Sequence, residues 1–162
     1  MEKFRSAEVS DAKILLDLTQ RAYRPIRELG ITFDTAYADL DFVKKNIKDN
    51  LCFLIESEEG VVLGTISLRM PWGDRPGPFG VPHIWWFAVD PLIGGSGVGS
   101  KLLKWCEESV VRDLLKSPAV SLGTADNHPW LVQMYEQRGY RILSRRDSGR
   151  GYGIVSMKKE LL

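Results

Sequence analysis

Apolar positions recur along this chain in two periods, one near four residues and one of two, and the changes of period mark the elements. Lys3 to Ala7 reads as a short first strand. Ser10 and Asp11 can cap a helix that carries Ile14, Leu15, Leu18 and Ala22 on one face, and Pro25 ends or kinks it. Residues 24–36 read as irregular. A second helix follows, capped by Asp39 or Asp41, with Leu40, Val43 and Ile47 on its apolar side. Residues 51–55 are an apolar strand, Glu58-Glu59-Gly60 a turn, and residues 61–69 the partner strand of a hairpin. Residues 71–82 hold three Gly and four Pro, so they form a loop, and its length suits a cover over a site. Residues 83–89 are an aromatic strand that runs through Pro91 into a glycine cluster. Val98, Leu102, Cys106, Val110 and Leu114 then recur every four residues on a long helix, with Leu103 widening the stripe. Residues 118–123 predict a strand, Pro129 to Arg138 a helix stopped by Gly139, residues 140–143 a strand, 147–153 a turn and 154–157 the last strand. The order predicts an α/β chain: one domain over residues 1–162, a mixed sheet of about six to seven strands with helices on both faces.

Composition narrows the function classes. The chain has 162 residues and a formal net charge of +1, so bulk charge gives no case for nucleic acid or an anionic membrane. Cys52 and Cys106 sit in apolar patterns and read as two buried thiols, without metal-ligand spacing. The only histidines are His83 and His128, too few for a multi-histidine metal centre, and no metal is expected. A charged N-terminus without a signal or span pattern makes the cytoplasm the expected location.

The chemistry concentrates at the glycines. Gly94, Gly95, Gly97 and Gly99 lie where the long helix begins. Free backbone N–H groups and the positive dipole end make a helix start an anion site, and glycine lets a phosphate approach closely. Gly94 and Gly99 have P-loop spacing, but Ser100-Lys101 follow in reverse order, and a Rossmann turn would need its third glycine at Ser100. A plain flexible turn before a core helix is the alternative.

Val89-x-Pro91, then Gly94-x-x-Gly97-x-Gly99, then Leu102-Leu103 resembles the acetyl-CoA motif of the GNAT superfamily of N-acetyltransferases, with Gly94 where that family carries Gln or Arg. The element order is also similar over nearly the whole chain. A second family mark is matched by Met134-Tyr135, then Gly139-Tyr140. Its first half is shifted, with Asn127 one residue ahead of the usual Asn position, which holds His128. The resemblance implies that acetyl-CoA is the co-substrate. Its pyrophosphate would lie on Gly94, Gly95, Ser96, Gly97, Val98, Gly99 and Ser100, with Phe87 and Ala88 beside the pantetheine, the Val89 N–H on the carbonyl oxygen and Asn127 as a further contact. Tyr135 is then the expected acid toward the leaving thiolate; otherwise it is a half-buried aromatic on an amphipathic helix.

Acetyl transfer needs a neutral amine, a proton acceptor reached directly or through water, and a donor to the oxyanion. His83 stands six residues before Val89, where one branch of the family has a Glu, and strand alternation places it on one face with Trp85, Phe87 and Val89. It is the candidate base; a His exposed at a strand start is the alternative, and Glu58 and Glu59 are further candidates. Tyr23, Arg24, Arg27, Asp34, Tyr37, Trp72 and Phe79 are candidates to line an acceptor pocket, with Trp85 and Trp86 beneath, one on each sheet face. The leading expectation is an acetyl-CoA-dependent N-acetyltransferase acting on a small-molecule or peptide amine, with a homodimer left open. A non-catalytic acyl-CoA-binding module and a Rossmann-type nucleotide binder are the rival readings.

Overall fold

The computed structural model describes residues 1–93 and 97–162. The strands are β1 (Lys3–Ser6), β2 (Leu51–Glu56), β3 (Val62–Arg69), β4 (His83–Val89), β5 (Ala119–Ala125), β6 (Arg141–Asp147) and β7 (Gly153–Glu160). They form one sheet in the order β1-β2-β3-β4-β5-β7-β6, as the mixed-sheet expectation requires. Only β4 and β5 pair in parallel; every other neighbour is antiparallel. This rules out a doubly wound Rossmann sheet, in which the strands around the glycine turn all run parallel.

Helices α1 (Ala12–Ala22) and α3 (Leu40–Asp49) cover one face, where Leu15, Leu18 and Val43 meet Leu54, Trp86 and Ala88. The Asp39 side chain accepts from the Phe42 N–H at 2.8 Å and so starts α3. Between these helices, α2 (Arg24–Glu28) occupies part of the stretch read as irregular, because Pro25 sits in its first turn, where a missing N–H costs nothing. Helices α4 (Val98–Trp105) and α5 (Leu131–Gln137) cover the other face. Helix α4 runs on as a π-helix over residues 106–114, and this breaks the four-residue stripe. Val98, Leu102, Cys106 and Val110 are buried as expected, whereas Leu114 is 68% exposed and Val111 and Glu107 turn inward instead. The buried Glu107 accepts from the Tyr140 hydroxyl at 2.6 Å and from Lys159 Nζ at 2.9 Å. Both cysteines are buried free thiols.

The sheet is interrupted at one place. Thr65 pairs with Ala88 but Ser67 with Trp85, so Ile66 faces two residues of β4, Trp86 and Phe87. Trp86 takes φ +53°, a conformation costly for a bulky L-residue. Its indole N–H donates to Thr19 Oγ1 of α1 at 2.9 Å, and the ring is buried among the α1/α3 side chains. Such a bulge bends its strand. Accordingly β4 and β5 share only the pairs His83–Ser121 and Ile84–Leu122, and beyond them the two strands part.

Candidate active site

The wedge between β4 and β5 opens into a cavity of about 1010 Å³. One wall is the start of α4, from Gly97 to Ser100; another is β4 from His83 to Val89; a third is β5 with Met134, Tyr135 and Arg138 of α5. Gly97 precedes α4 with φ +76°, a left-handed turn that a side chain would strain. At Gly99 a Cβ would lie 3.4 Å from Val89 and 3.8 Å from Phe87, ordinary contact distances that place this turn of the helix against β4. Gly94, Gly95 and Ser96 lie outside the described residues.

The bulge corrects the expected facing of β4. Trp85 and Trp86 lie on the same face, with ring centroids 5.3 Å apart and Phe42 against both. Phe87 and Val89 point to the α4 face, while Ala88 joins the α1/α3 face. His83 and Trp85 therefore do not share a face with Phe87 and Val89, because one extra residue reverses the alternation. All of these residues nevertheless line the cavity, since it passes through the gap between the strands.

Tyr135 is 8% exposed, and its ring stands edge-on to Tyr140 at 5.6 Å. Burial pushes its hydroxyl well above the ordinary tyrosine value, so the group stays protonated at neutral pH. Among the described residues no hydrogen bond occupies that hydroxyl, and the side chain borders the cavity. Nearby, the Tyr23 hydroxyl donates to the Phe87 carbonyl at 3.1 Å, and burial raises its pKa to about 12.

His83 Nδ1 lies 2.8 Å from Ser121 Oγ, and loop residue Gly77 packs on the ring so closely that a Cβ there would fall 2.6 Å from Nδ1. The long loop thus does cover part of the site, through residues 75–78. Burial, and then the charge of Arg69, lower His83 to about 4. That makes it a feeble proton acceptor, and six residues of strand rise, roughly 20 Å, separate it from Val89. Direct proton transfer from an amine held at Val89 to His83 is out of reach.

The expected acceptor wall is partly replaced. Tyr23 and Asp34 line the cavity, whereas Arg24, Arg27, Tyr37, Trp72 and Phe79 do not; nor does Asn127, the expected coenzyme A contact. Arg27 is spent on the carbonyls of Gln20 and Ala36, and Arg24 on Glu28. Glu58 and Glu59 belong to the β2–β3 turn, away from the lining. His128 lines the cavity where Asn127 was expected. The residues missed by the sequence reading are arginines. Arg69, Arg75, Arg138, Arg146 and Arg150 border the cavity, with Asp34 as the single carboxylate. Arg138 donates to Ser100 Oγ at 2.6 Å, tying α5 to the start of α4. Arg150 holds Asp34 and the Thr32 carbonyl, and the Thr32 N–H donates to the Tyr152 hydroxyl at 3.2 Å, which closes that side. These arginines are scattered over β3, the loop before β4, the end of α5, β6 and the turn after β6, so no local run of charge announces them.

A model of the acetyltransferase (GNAT) family matches residues 14–140. Two relatives come from Bacillus subtilis (strain 168). An S-(2-succino)cysteine N-acetyltransferase is 58% identical over 159 residues, 98% of this chain and 96% of its own length. An S-alkylcysteine N-acetyltransferase is 42% identical over 156 residues, 96% and 87% of the two lengths. Among solved structures, a spermidine N-acetyltransferase SpeG chimera from Vibrio cholerae and hSSAT has a TM-score of 0.75 at 14% identity, covering 98% of this chain and 95% of that one. At that identity the last match speaks for the fold alone.

Proposed function

This chain belongs to the GNAT acetyltransferase family and is an N-acetyltransferase, and from that premise we propose that it acts on a small-molecule amine, the α-amine of an S-substituted cysteine whose substituent carries carboxylates. The observation that carries the proposal is the cavity lining, with five arginines against one carboxylate, in a chain whose overall charge is near neutral. Concave, single-sign sites concentrate ligands of the opposite sign. The names of the two relatives point the same way, to cysteine conjugates. A polyamine would meet repulsion in this lining.

Acetyl-CoA supplies the thioester whose carbonyl carbon the amine attacks. The start of α4 fits a pyrophosphate: at Gly97 nothing stands within 4 Å of where a Cβ would lie, and Arg138 adds a cation beside Ser100. In the proposed reaction the neutral amine attacks directly, without a covalent enzyme intermediate. The Val89 N–H donates to the developing oxyanion, with Phe87 and Ala88 along the pantetheine. Tyr135 donates to the departing sulfur. The amine's proton leaves through water, with His83 as a remote acceptor on that route. The enzyme acts in the cytoplasm, where coenzyme A and free amino acids are both present.

The test is a turnover panel with acetyl-CoA and S-(2-succino)cysteine, S-methylcysteine and spermidine, read by mass. N-acetylation of the dicarboxylate conjugate, ahead of S-methylcysteine and far ahead of spermidine, is expected. Preference for spermidine would sink the acceptor assignment.

A further inference from the structure

Most arginines of this chain are occupied. Arg5 pairs with Asp11, Arg21 with Asp90, Arg24 with Glu28, Arg112 with Asp113 and Arg150 with Asp34. Arg69 is different. It lies half-buried in the cavity wall, with its Cζ 3.6 Å from the centroid of the Trp85 ring, and among the described residues no carboxylate or carbonyl takes its N–H groups. Arg75, Arg145 and Arg146 also lack partners among the described residues, but they are exposed and solvated. A guanidinium withdrawn from water without a counter-ion is costly, and burial together with Arg75 pulls its pKa to about 10. Stacking covers a face of the guanidinium and leaves its edges, where the donors are, open to a planar carboxylate.

Its place on the sheet says which carboxylate. Arg69 pairs with His83 at the first rung of β4 and lies over Trp85, four residues before Val89. Strand rise puts that about 13 Å from the oxyanion position assigned to Val89. The α-carboxylate of a cysteine is attached beside the reacting amine and stays near it. A carboxylate beyond the sulfur can extend along β4. We infer that Arg69, laid on Trp85, seats a carboxylate of the acceptor's sulfur substituent and sets the preference for acidic over neutral S-substituted cysteines. This rests on the acceptor class proposed above.

The test compares kcat/KM for S-(2-succino)cysteine and S-methylcysteine in the wild type, Arg69→Met and Arg69→Lys. Arg69→Met should lower the ratio of the two by about 30-fold or more, mainly through KM for the dicarboxylate, and Arg69→Lys should fall between. Equal losses on both substrates would assign Arg69 to the α-carboxylate and overturn the inference, as would wild-type kcat/KM on both. Should the variants fail to fold, succinate serves as a probe of the wild type. It should inhibit S-methylcysteine acetylation competitively against the acceptor, and absence of that inhibition would equally overturn the seat. A wild-type protein that acetylates neither cysteine derivative refutes the acceptor class itself, and the Arg69 seat falls with it.

Discussion

Tyr135→Phe separates catalysis from packing because the structure predicts opposite signs for the two. The ring is nearly buried and edge-on to Tyr140, so the Phe ring keeps those contacts. The hydroxyl has no hydrogen-bond partner among the described residues, so its removal breaks no bond to any of them. A buried hydroxyl without a partner costs about 1–3 kcal/mol, and this one borders a cavity that water can enter, so the variant should be as stable as the wild type or more stable by up to about 1 kcal/mol. The rate should move the other way. Proton donation to a leaving group is worth roughly 10²–10⁴-fold, or about 3–5 kcal/mol. Burial raises the Tyr135 pKa above the ordinary value of about 10, while a thiol titrates near ~8.5, so full transfer to the thiolate is uphill and the lower end, about 10²-fold in kcat, is expected. The assay is thiol release from acetyl-CoA at saturating acceptor, with urea unfolding and acetyl-CoA titration of the same preparations. A variant with wild-type kcat and stability lowered by more than about 1 kcal/mol would make Tyr135 a packing residue and refute the reasoning.

Two further outcomes follow from the same geometry. His83 is held near 4 when folded and returns to about 6.5 when unfolded, so its contribution is complete above pH 6.5 and is lost as pH falls toward 4. Between pH 7 and 5 the wild type should lose about 2 kcal/mol more than His83→Gln in urea unfolding, and parallel losses would show that the imidazole is not buried neutral. At Gly99 a first methyl group meets only ordinary contacts with Val89 and Phe87, but Gly99→Val adds branches at the wall where the pyrophosphate is proposed. It should weaken acetyl-CoA binding tenfold or more by calorimetry, and unchanged affinity would remove the start of α4 from the cofactor site.

The element order and the mixed sheet were legible because they rest on periodicity and on caps such as Asp39, which are local, although Ile14, expected on the apolar face of α1, is 51% exposed. Apart from α2, which Pro25 starts locally, the main departures come from interactions distant in sequence. Nothing in His-Ile-Trp-Trp-Phe-Ala-Val announces a bulge, because what holds Trp86 at positive φ is a hydroxyl on α1, Thr19, far upstream. The π-helical turns after Trp105 bury Glu107 against Tyr140 and Lys159, partners contributed by other elements. The acceptor wall was misjudged because aromatic and charged residues near a loop all look available. In the structure Arg27 is consumed by carbonyls, while Arg69, which reads as the polar end of a strand, is half-buried with no carboxylate or carbonyl on its N–H groups among the described residues.

The weakness of His83 as a base bears on which amines this site can use. Its low pKa has two causes, burial and the neighbouring Arg69 cation, and His128, the other histidine in the lining, is also shifted downward by burial. An ε-amine or polyamine nitrogen, with a pKa near ~10.4, is almost wholly protonated at neutral pH and would need a competent base. An α-amine beside a carboxyl and a sulfur-bearing carbon titrates lower, and each pKa unit gives tenfold more of the reactive neutral form. The lining therefore favours an amino-acid acceptor twice over, by the sign of its charge and by the proton it does not have to remove. An acidic substituent seated on Arg69 would also neutralise the cation beside His83. The share of the pKa depression due to Arg69 would then lift, while the share due to burial stays. The acceptor that fits the arginine is thus the one in whose presence the imidazole becomes a better proton acceptor, although one still reached only through water.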